Sequence, residues 1–503
     1  METGFSLIKK PGVNIDKRIE TSFNCNVISI SDGILCVGKR ENYSQYNEEK
    51  IIHLIGDIHN LDFINELISN LCSNAKNAEP AHIIMIMIKQ LGIQSLSLLE
   101  GDFCIIIENN NSTYQVITNP FGMNPVSIIS SHDEHSLWIT NNLKVFASVE
   151  GDKAIHFKNP SLVCIDGPRQ NNYSPIHNAI KLKPASINEI SFDRKGYFYN
   201  KVSDLLFCSN HCETNFDEDL LLQIIDNYIQ SPISDSYNQY KKVGIPLSGG
   251  LDSSLITLLA SEQFDNIYTY SIGTESFNEF PYAEIVSECL HTNHENKILD
   301  EKDIINGVIE SIYYNEIFDG LSAEIQSGLF NVYKMANKNS ELLLTGYGSD
   351  LLFGGVINPS SQHDPNQELS QLVYRTQWTS EFSTLGPREF GIDVRHPFWT
   401  RRLISLCENM NHKLKIRDNE NKYILRKYVD SFKKLPDEIV WRKKIGIHEG
   451  SAVDQSFANT LGVKVDNYYE KNLFTYKMYQ SLILGRININ DYNLDEIKKI
   501  ITE

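Results

Sequence analysis

Residues 248–254 read Ser-Gly-Gly-Leu-Asp-Ser-Ser, and they follow a short apolar run, Val243 to Leu247, with the length of a buried strand. A strand, a Gly-rich turn and a helix start, in that order, form a geometry that binds phosphate. Gly249 and Gly250 let the backbone approach an anion, the helix N-terminus adds partial positive charge, and Ser248, Ser253 and Ser254 add hydroxyl donors. A carboxylate in the middle of such a turn would repel phosphate unless a divalent cation stood between them, so Asp252 reads as a Mg²⁺ ligand. The order GxxxxGK[ST], which would place a lysine against a terminal phosphate, is not what this turn offers. Leu342 to Leu344 lead into a second turn, Thr345-Gly346-Tyr347-Gly348-Ser349-Asp350, again ending in an acid. A plain structural turn would explain the glycines of both segments but not their carboxylates.

The elements that must position these residues change character along the chain. The first 200 or so residues read as short β-rich runs, such as Cys104 to Glu108, Tyr114 to Thr118 and Leu137 to Thr140, with helices expected at Leu61 to Cys72 and Ala81 to Leu91. Beyond the polar stretch Cys208 to Asp219, apolar strands alternate with amphipathic helices, the pattern of a parallel sheet with crossovers. Val243 to Leu247, a helix over Ser253 to Ser261 and Ile267 to Ile272 make one β-loop-α-β unit. In Tyr423 to Phe432, Ile424, Leu425, Tyr428, Val429 and Phe432 fall on one helical face. We place a boundary between residues 205 and 206, giving domains 1–205 and 206–503.

A length of 503 residues favours two domains over one core. Lys and Arg total 46 against 64 Asp and Glu, and the net charge of −18 argues against nucleic acid or an anionic membrane as partner. The start METGFSLIKKPG carries no secretory pattern, and the apolar run Ile83 to Ile88 is too short to span a bilayer, so a cytoplasmic location is expected. Nine cysteines at irregular spacing, with no CxxC pair, read as idle thiols rather than a zinc or disulfide framework, and His448-Glu449 lacks the HExxH order.

The two Gly-rich turns, with Leu352-Phe353-Gly354-Gly355 after the second, resemble the asparagine synthetase and β-lactam synthetase family of N-type ATP pyrophosphatases. That resemblance implies ATP and Mg²⁺ as cofactors, adenylation of a carboxylate and release of pyrophosphate, with Asp252 and Asp350 on one metal. It assigns ATP binding to Leu247, Ser248, Gly249, Gly250, Leu251, Ser253, Ser254, Tyr270, Ser271, Ile272, Leu329, Gly346 and Lys422. The β-lactam-forming branch is similar in a further respect: an aromatic hydroxyl stands in the second turn, here Tyr347, and a glutamate, here Glu381 in Trp378-Thr379-Ser380-Glu381-Phe382, serves as its partner base. A secondary amine is mostly ammonium at neutral pH and cannot attack without a positioned proton acceptor. The string Lys444-Ile445-Gly446-Ile447-His448-Glu449-Gly450-Ser451 resembles the same branch, whose essential lysine would be Lys444, stabilising the oxyanion and the departing phosphate. By the same resemblance Tyr347, Gly348, Leu351 and Glu381 contact substrate.

Leu99-Glu100-Gly101-Asp102-Phe103 and Phe121-Gly122-Met123-Asn124-Pro125 resemble the glutaminase domain of asparagine synthetases. The thiol nucleophile expected directly after the initiator methionine is replaced by Glu2, and the first cysteine is Cys25, so the nitrogen is expected to arrive with the substrate. The fold class implied is an N-terminal Ntn-type β-sandwich with helices, degenerate as a glutaminase, and a C-terminal PP-loop α/β domain with a parallel sheet and extra helices. The segment from Ile305 to Phe330 resembles the carbapenam-forming branch. The implied reaction is closure of (2S,5S)-5-carboxymethylproline to (3S,5S)-carbapenam-3-carboxylate, with AMP and pyrophosphate released. Family members form homo-oligomers, which the resemblance extends to this chain. The competing readings are a clavam-type synthetase acting on N2-(2-carboxyethyl)arginine, a macrocycle-forming ligase, and a non-catalytic nucleotide-binding relative.

Overall fold

Short apolar runs such as Cys104 to Ile107 recur in the first 205 residues, and the central strands they form bury both of their faces. A computed structural model of the protein describes residues 2–9, 19, 23–30, 33–48, 50–71, 78–109, 113–131, 136–161, 174–192, 198–205, 217–357, 365–442, 450–493 and 497. The expected domain boundary, and most of the polar stretch from Cys208 to Asp219 that marked it, fall on residues 206–216, outside the described residues.

Twelve strands precede that point: β1 Phe5–Lys9, β2 Cys25–Ile30, β3 Gly33–Gly38, β4 Tyr43–Asn47, β5 Ile51–Ile55, β6 Cys104–Asn109, β7 Thr113–Thr118, β8 Ser127–Ser131, β9 Ser136–Thr140, β10 Ala179–Lys181, β11 Ser186–Phe192 and β12 Phe198–Asp204. They make two antiparallel sheets, in the orders β10-β8-β9-β1-β3-β2 and β12-β11-β7-β6-β5-β4. Leu7, Leu35, Leu137 and Ile139 of the first sheet meet Ile55, Ile106 and Val116 of the second in one buried layer. The residues between them point the other way. Ile105, Ile107 and Ile117 pack under helices Leu61–Ser69 and Pro80–Leu91, while Ile8, Cys36, Ile129 and Trp138 face helix Leu143–Glu150. Slipping a strand by one residue would exchange these two sets, so the register is fixed by burial on both sides.

The C-terminal half is built on five parallel strands, β13 Val243–Pro246, β14 Ile267–Gly273, β15 Asn293–Ile298, β16 Leu342–Leu344 and β17 Asp393–Arg395, in the order β15-β14-β13-β16-β17. Val243, Ile245, Leu342 and Leu344 face one helical layer, which includes Glu218–Gln239 and Leu251–Ser261. Tyr270, Ile272, Leu343 and Val394 face the other, which includes Glu301–Tyr314, Gly320–Ala336 and Tyr468–Ile483. This second layer shares its apolar cluster with Ile8 and Trp138, so one continuous core joins the two halves. From β13 the chain steps to β14 on one side, and from β16 to β17 on the other. The order therefore reverses between β13 and β16, and a crevice opens at the carboxyl ends of strands that diverge in this way.

Candidate active site

Leaving β13, the chain turns through Leu247–Gly250 and enters the helix Leu251–Ser261 with Gly250 as its N-cap. Gly249 sits at φ +68°, and a Cβ there would lie 2.4 Å from the backbone carbon of Tyr282, so only glycine fits. The serines brace the turn: the Gly250 amide donates to Ser248 Oγ at 3.3 Å and the Ser248 amide to Ser253 Oγ at 3.2 Å. The second turn leaves β16 and reaches the short helix Ser349–Phe353 through Gly348 at φ +97°. A Cβ on Gly346 would stand 2.8 Å from both Asp252 C and Ser253 N. The two Gly-rich turns therefore touch backbone to backbone, which aims their acids at a common point.

That point holds the ammonium of Lys422. Its Nζ lies 2.7 and 2.6 Å from the two oxygens of Asp252, 2.6 Å from Asp350 Oδ1 and 3.1 Å from Ser349 Oγ. Lys422 caps the helix Tyr423–Ser431 in the left-handed region, φ +60°, and only 1% of it is exposed. A non-glycine residue held in that conformation costs roughly 1–3 kcal/mol, so its surroundings must over-determine it. Gly355 leaves the room: a Cβ there would lie 2.1 Å from Asp350 Oδ1 and 2.4 Å from Lys422 Cε. Two carboxylates converging on one cationic point fit the Mg²⁺ expected with a nucleotide, an ion that takes one or two carboxylates and completes its shell with phosphate oxygens and water. Among the described residues no group of three or more His, Cys, Asp or Glu could hold a metal by itself.

A cavity of about 650 Å³ opens beside the turns, within the range that encloses most of a drug-sized ligand. Tyr270, Ser271 and Ile272, at the end of β14, line it, and the Ser271 hydroxyl donates to the Leu247 carbonyl. Another stretch of its wall is one stripe of the helix Gly320–Ala336, Leu321, Ile325, Leu329 and Val332. Over the eleven steps from Leu321 to Val332 a helix rises about 16 Å, enough to run from a nucleotide base to an acyl group.

At the far end of that stripe, Tyr347 Oη donates to Glu381 Oε2 at 2.5 Å. Ser322 Oγ donates to the other oxygen of Glu381 at 2.8 Å, and Gln326 Nε2 to its backbone carbonyl at 2.7 Å. The Tyr347 ring lies against Phe382, centroids 4.5 Å apart, and Phe382 stacks on Trp399 at 4.3 Å and 4°. Trp399 Nε1 in turn donates to the Phe121 carbonyl of the N-terminal half. Beneath the turn, Thr345 Oγ1 and His396 Nδ1 share a hydrogen bond of 2.6 Å, and burial pushes the His396 imidazole down to about 3, which keeps it neutral.

Of the residues expected from sequence, Leu247, Ser248, Gly250, Asp252, Ser253, Tyr270, Ser271, Ile272, Leu329, Gly346, Tyr347, Gly348, Asp350, Leu351 and Glu381 line this one cavity. Gly249, Leu251 and Ser254 do not: Gly249 packs on Tyr282 and Ala283, and Leu251 and Ser254 turn into the core as the helix begins. Lys422 reaches the two aspartates from beneath. Lys444 lies with residues 443–449 outside the described residues. Sequence reasoning missed Ser322, Gln326, Thr345, His396, Leu321 and Ile325. For four of these a signal existed, because Leu321 and Ile325 continue the i, i+4 stripe of Leu329 and Ser322 and Gln326 form the stripe beside it.

Residues 5–205 match the family described as "Carbapenam-3-carboxylate synthase, N-terminal", and residues 234–385 and 388–476 match the family described as "Asparagine synthase". The chain is similar to a carboxyethyl-arginine beta-lactam-synthase from Streptomyces clavuligerus, 26% identical over 263 residues, a match covering 52% of this chain and 51% of that protein. It is also similar to a glutamine-hydrolyzing asparagine synthetase from Gallus gallus, 24% identical over 395 residues, covering 74% of this chain and 68% of the relative. The chain thus spans about half the length of the first relative and about two thirds of the second. Among solved structures, an NMN synthetase from Francisella tularensis aligns at 14% identity and a TM-score of 0.28, over 54% of this chain and 94% of that one, too slight a likeness to argue from. With two family matches laid end to end along the chain, and the C-terminal one resting on the parallel sheet and its paired Gly-rich turns, the protein belongs to the asparagine synthetase and β-lactam synthetase family.

Proposed function

We propose that the protein uses ATP to adenylate a carboxylate, releases pyrophosphate, and lets an amine of the same molecule capture the acyl-adenylate, closing a β-lactam. The observation that carries this reading is the Tyr347–Glu381 hydrogen bond, 2.5 Å long and set in the same cavity as the two Gly-rich turns. An amide-forming enzyme fed with free ammonia needs no such pair, whereas an amine that arrives protonated does. With its proton directed at Glu381, the Tyr347 oxygen keeps a lone pair for the proton of the substrate ammonium. Ser322 holds the second oxygen of Glu381, so the carboxylate cannot swing away as the proton moves. The leucine and isoleucine stripe excludes water from the acyl-adenylate, and closure of a strained ring then depends on the two reacting atoms being held together.

Asp252 and Asp350 would hold Mg²⁺ with the triphosphate, and the ion would neutralise charge on the departing pyrophosphate. Lys422, already between these carboxylates, is placed to meet phosphate oxygens as the nucleotide enters. Lys444 enters this reading as the oxyanion donor on family resemblance alone.

For the substrate, two readings each have an observation behind them. Carboxymethylproline, closing to a carbapenam, is favoured by the description of the family matched at residues 5–205. It is also favoured by the cavity: among its described lining residues every carboxylate is engaged, Asp252 and Asp350 with Lys422, Glu381 with Tyr347 and Ser322, Glu279 with Arg442, which leaves none to receive a guanidinium. N2-(2-carboxyethyl)arginine is favoured by the similarity to the Streptomyces clavuligerus protein. Pyrophosphate release and mass spectrometry of the product, run with each compound in turn, decide between them. We expect cyclised product from carboxymethylproline; turnover of the arginine compound alone would replace the substrate, and silence with both would leave a nucleotide-binding relative.

A further inference from the structure

We infer that the N-terminal half fixes the ring-closing glutamate in place and that Arg388 is the positioning residue through which it does so. This rests on the function proposed above. Glu381 stands on no long element; it lies in a loop between the helices Pro365–Thr376 and Leu385–Glu389. The N-terminal half grips that loop on both sides of Glu381. Before it, Lys181 Nζ donates to the Trp378 carbonyl at 2.6 Å, and Gly122, at φ +70°, lies so close to Gln377 that a Cβ would stand 2.1 Å from its carbonyl oxygen. After it, the Thr384 amide donates to the Met123 carbonyl at 3.3 Å and Thr384 Oγ1 to Asp102 Oδ2 at 2.5 Å.

Arg388 closes the grip. Its guanidinium, 5% exposed, meets Glu41 Oε2 at 2.9 Å, Asp57 Oδ2 at 2.7 Å and Asp102 Oδ2 at 2.7 Å, all from the N-terminal half, and Asp393 Oδ1 at 3.2 Å from its own. Asp102 therefore ties two residues of the 377–389 segment, Thr384 and Arg388, to the sheets. Burial opposes the charge on Asp102, yet Arg388, His59 and Thr384 hold its carboxyl below the usual range. The neighbouring Glu389 receives the Glu2 and Thr3 amides at 2.8 and 3.0 Å. None of these groups lines the cavity. What they do is remove freedom from a loop whose one cavity-facing acid must stay within a short hydrogen bond of Tyr347.

If this is positioning and not only adhesion between halves, weakening it must damage ring closure far more than adenylation, a step that removes no proton from the amine and so does not use the Tyr347–Glu381 pair as a base. Two variants test it, Arg388→Lys, which keeps the charge but loses the fork that serves several carboxylates at once, and Thr384→Val, which removes one hydroxyl and no charge. Substrate-dependent exchange of labelled pyrophosphate into ATP reads adenylation, and product formation reads closure. In both variants kcat for closure should fall, by about 100-fold in Arg388→Lys, the size expected when a reacting group is displaced by about 1 Å, with exchange and both KM values within about twofold. Parallel loss of exchange and closure, or closure at the wild-type rate, overturns the inference; should Arg388→Lys not fold, Thr384→Val decides alone. A wild-type protein that exchanges pyrophosphate but forms no ring overturns the proposed function instead, so the two failures are told apart.

Discussion

The two ends of the cavity are made in different ways. The end proposed to hold the nucleotide is local: one β-turn-α unit from Val243 to Ser261 and a second turn from Leu342 to Phe353, pressed together through Gly346. The end proposed to close the ring is assembled from afar, with Tyr347 from a turn, Glu381 from a loop, Ser322 and Gln326 from a helix, and an aromatic stack that reaches Phe121 in the other half. Phosphate is recognised mainly by backbone amides and by the few residue types that allow the backbone close. A proton acceptor is recognised by where common side chains stand. Changes at the first end should therefore stop both half-reactions, and changes at the second should stop only the capture of the acyl group.

The largest effect is expected at Asp252. In Asp252→Asn one of the two carboxylates that converge on the cationic point is neutralised, while Asp350 and Ser349 still hold Lys422. Loss of several kcal/mol of charge stabilisation should lower pyrophosphate exchange and ring formation together by about 1,000-fold or more. Exchange that persists while ring formation fails would place Asp252 at the wrong end.

Next comes Tyr347→Phe. The ring keeps its contact with Phe382 and Glu381 keeps Ser322, so only the hydroxyl is lost. Removal of a positioned proton acceptor should slow closure by about 100-fold or more, with exchange near normal and unreacted acyl-adenylate lost to water. Near-normal closure would take the base role away from this residue and sharpen the contrast into one of binding alone.

The same contrast explains what could be read from the sequence. The strand, turn and helix around Ser248 to Ser254 were legible because two glycines and an acid at that spacing have few other uses, though the helix begins at Leu251, two residues before the expected Ser253. The β-rich character of the first half was legible from short apolar runs such as Cys104 to Glu108, whose alternate residues face separate layers, and the sandwich itself came from resemblance. Tyr347 and Glu381 were found by resemblance; no spacing rule joins residues 34 apart in sequence. Lys422 was expected on phosphate, and its bridging of Asp252 and Asp350 was not, because a left-handed lysine carries no compositional mark. Arg388, Thr345 and His396 were invisible for a related reason: each acts through partners that only the packed halves bring near.

A pH experiment probes the support beneath the ring-closing end. His396 ordinarily titrates near 6.5, and burial holds it neutral in the fold down to about 3. As pH falls below 6.5 the unfolded chain takes up a proton that the folded one refuses, so stability present above that value is progressively lost toward 3. Each unit costs up to about 1.4 kcal/mol, so the wild type should lose about 2 kcal/mol more than His396→Gln between pH 6.5 and 5. Denaturant melts of both proteins at the two pH values measure this directly, and parallel loss in the two would mean that His396 accepts a proton in place.

The smallest effect tests the contrast most finely. Ser322 donates a hydrogen bond to the Glu381 oxygen that Tyr347 does not use, from a helix whose neighbouring stripe also serves the nucleotide end. A single hydrogen bond to a charged group contributes on the order of 1 to 2 kcal/mol, so Ser322→Ala should slow closure about tenfold. Because Leu329 and Val332 lie two to three turns further along the same helix, adenylation should not change. If exchange falls as much as closure, the helix couples the two ends and they are not independent. If neither changes, Tyr347 and the grip on the 377–389 segment are sufficient to hold Glu381, and the ring-closing end depends on the N-terminal half more than on the helix that lines it.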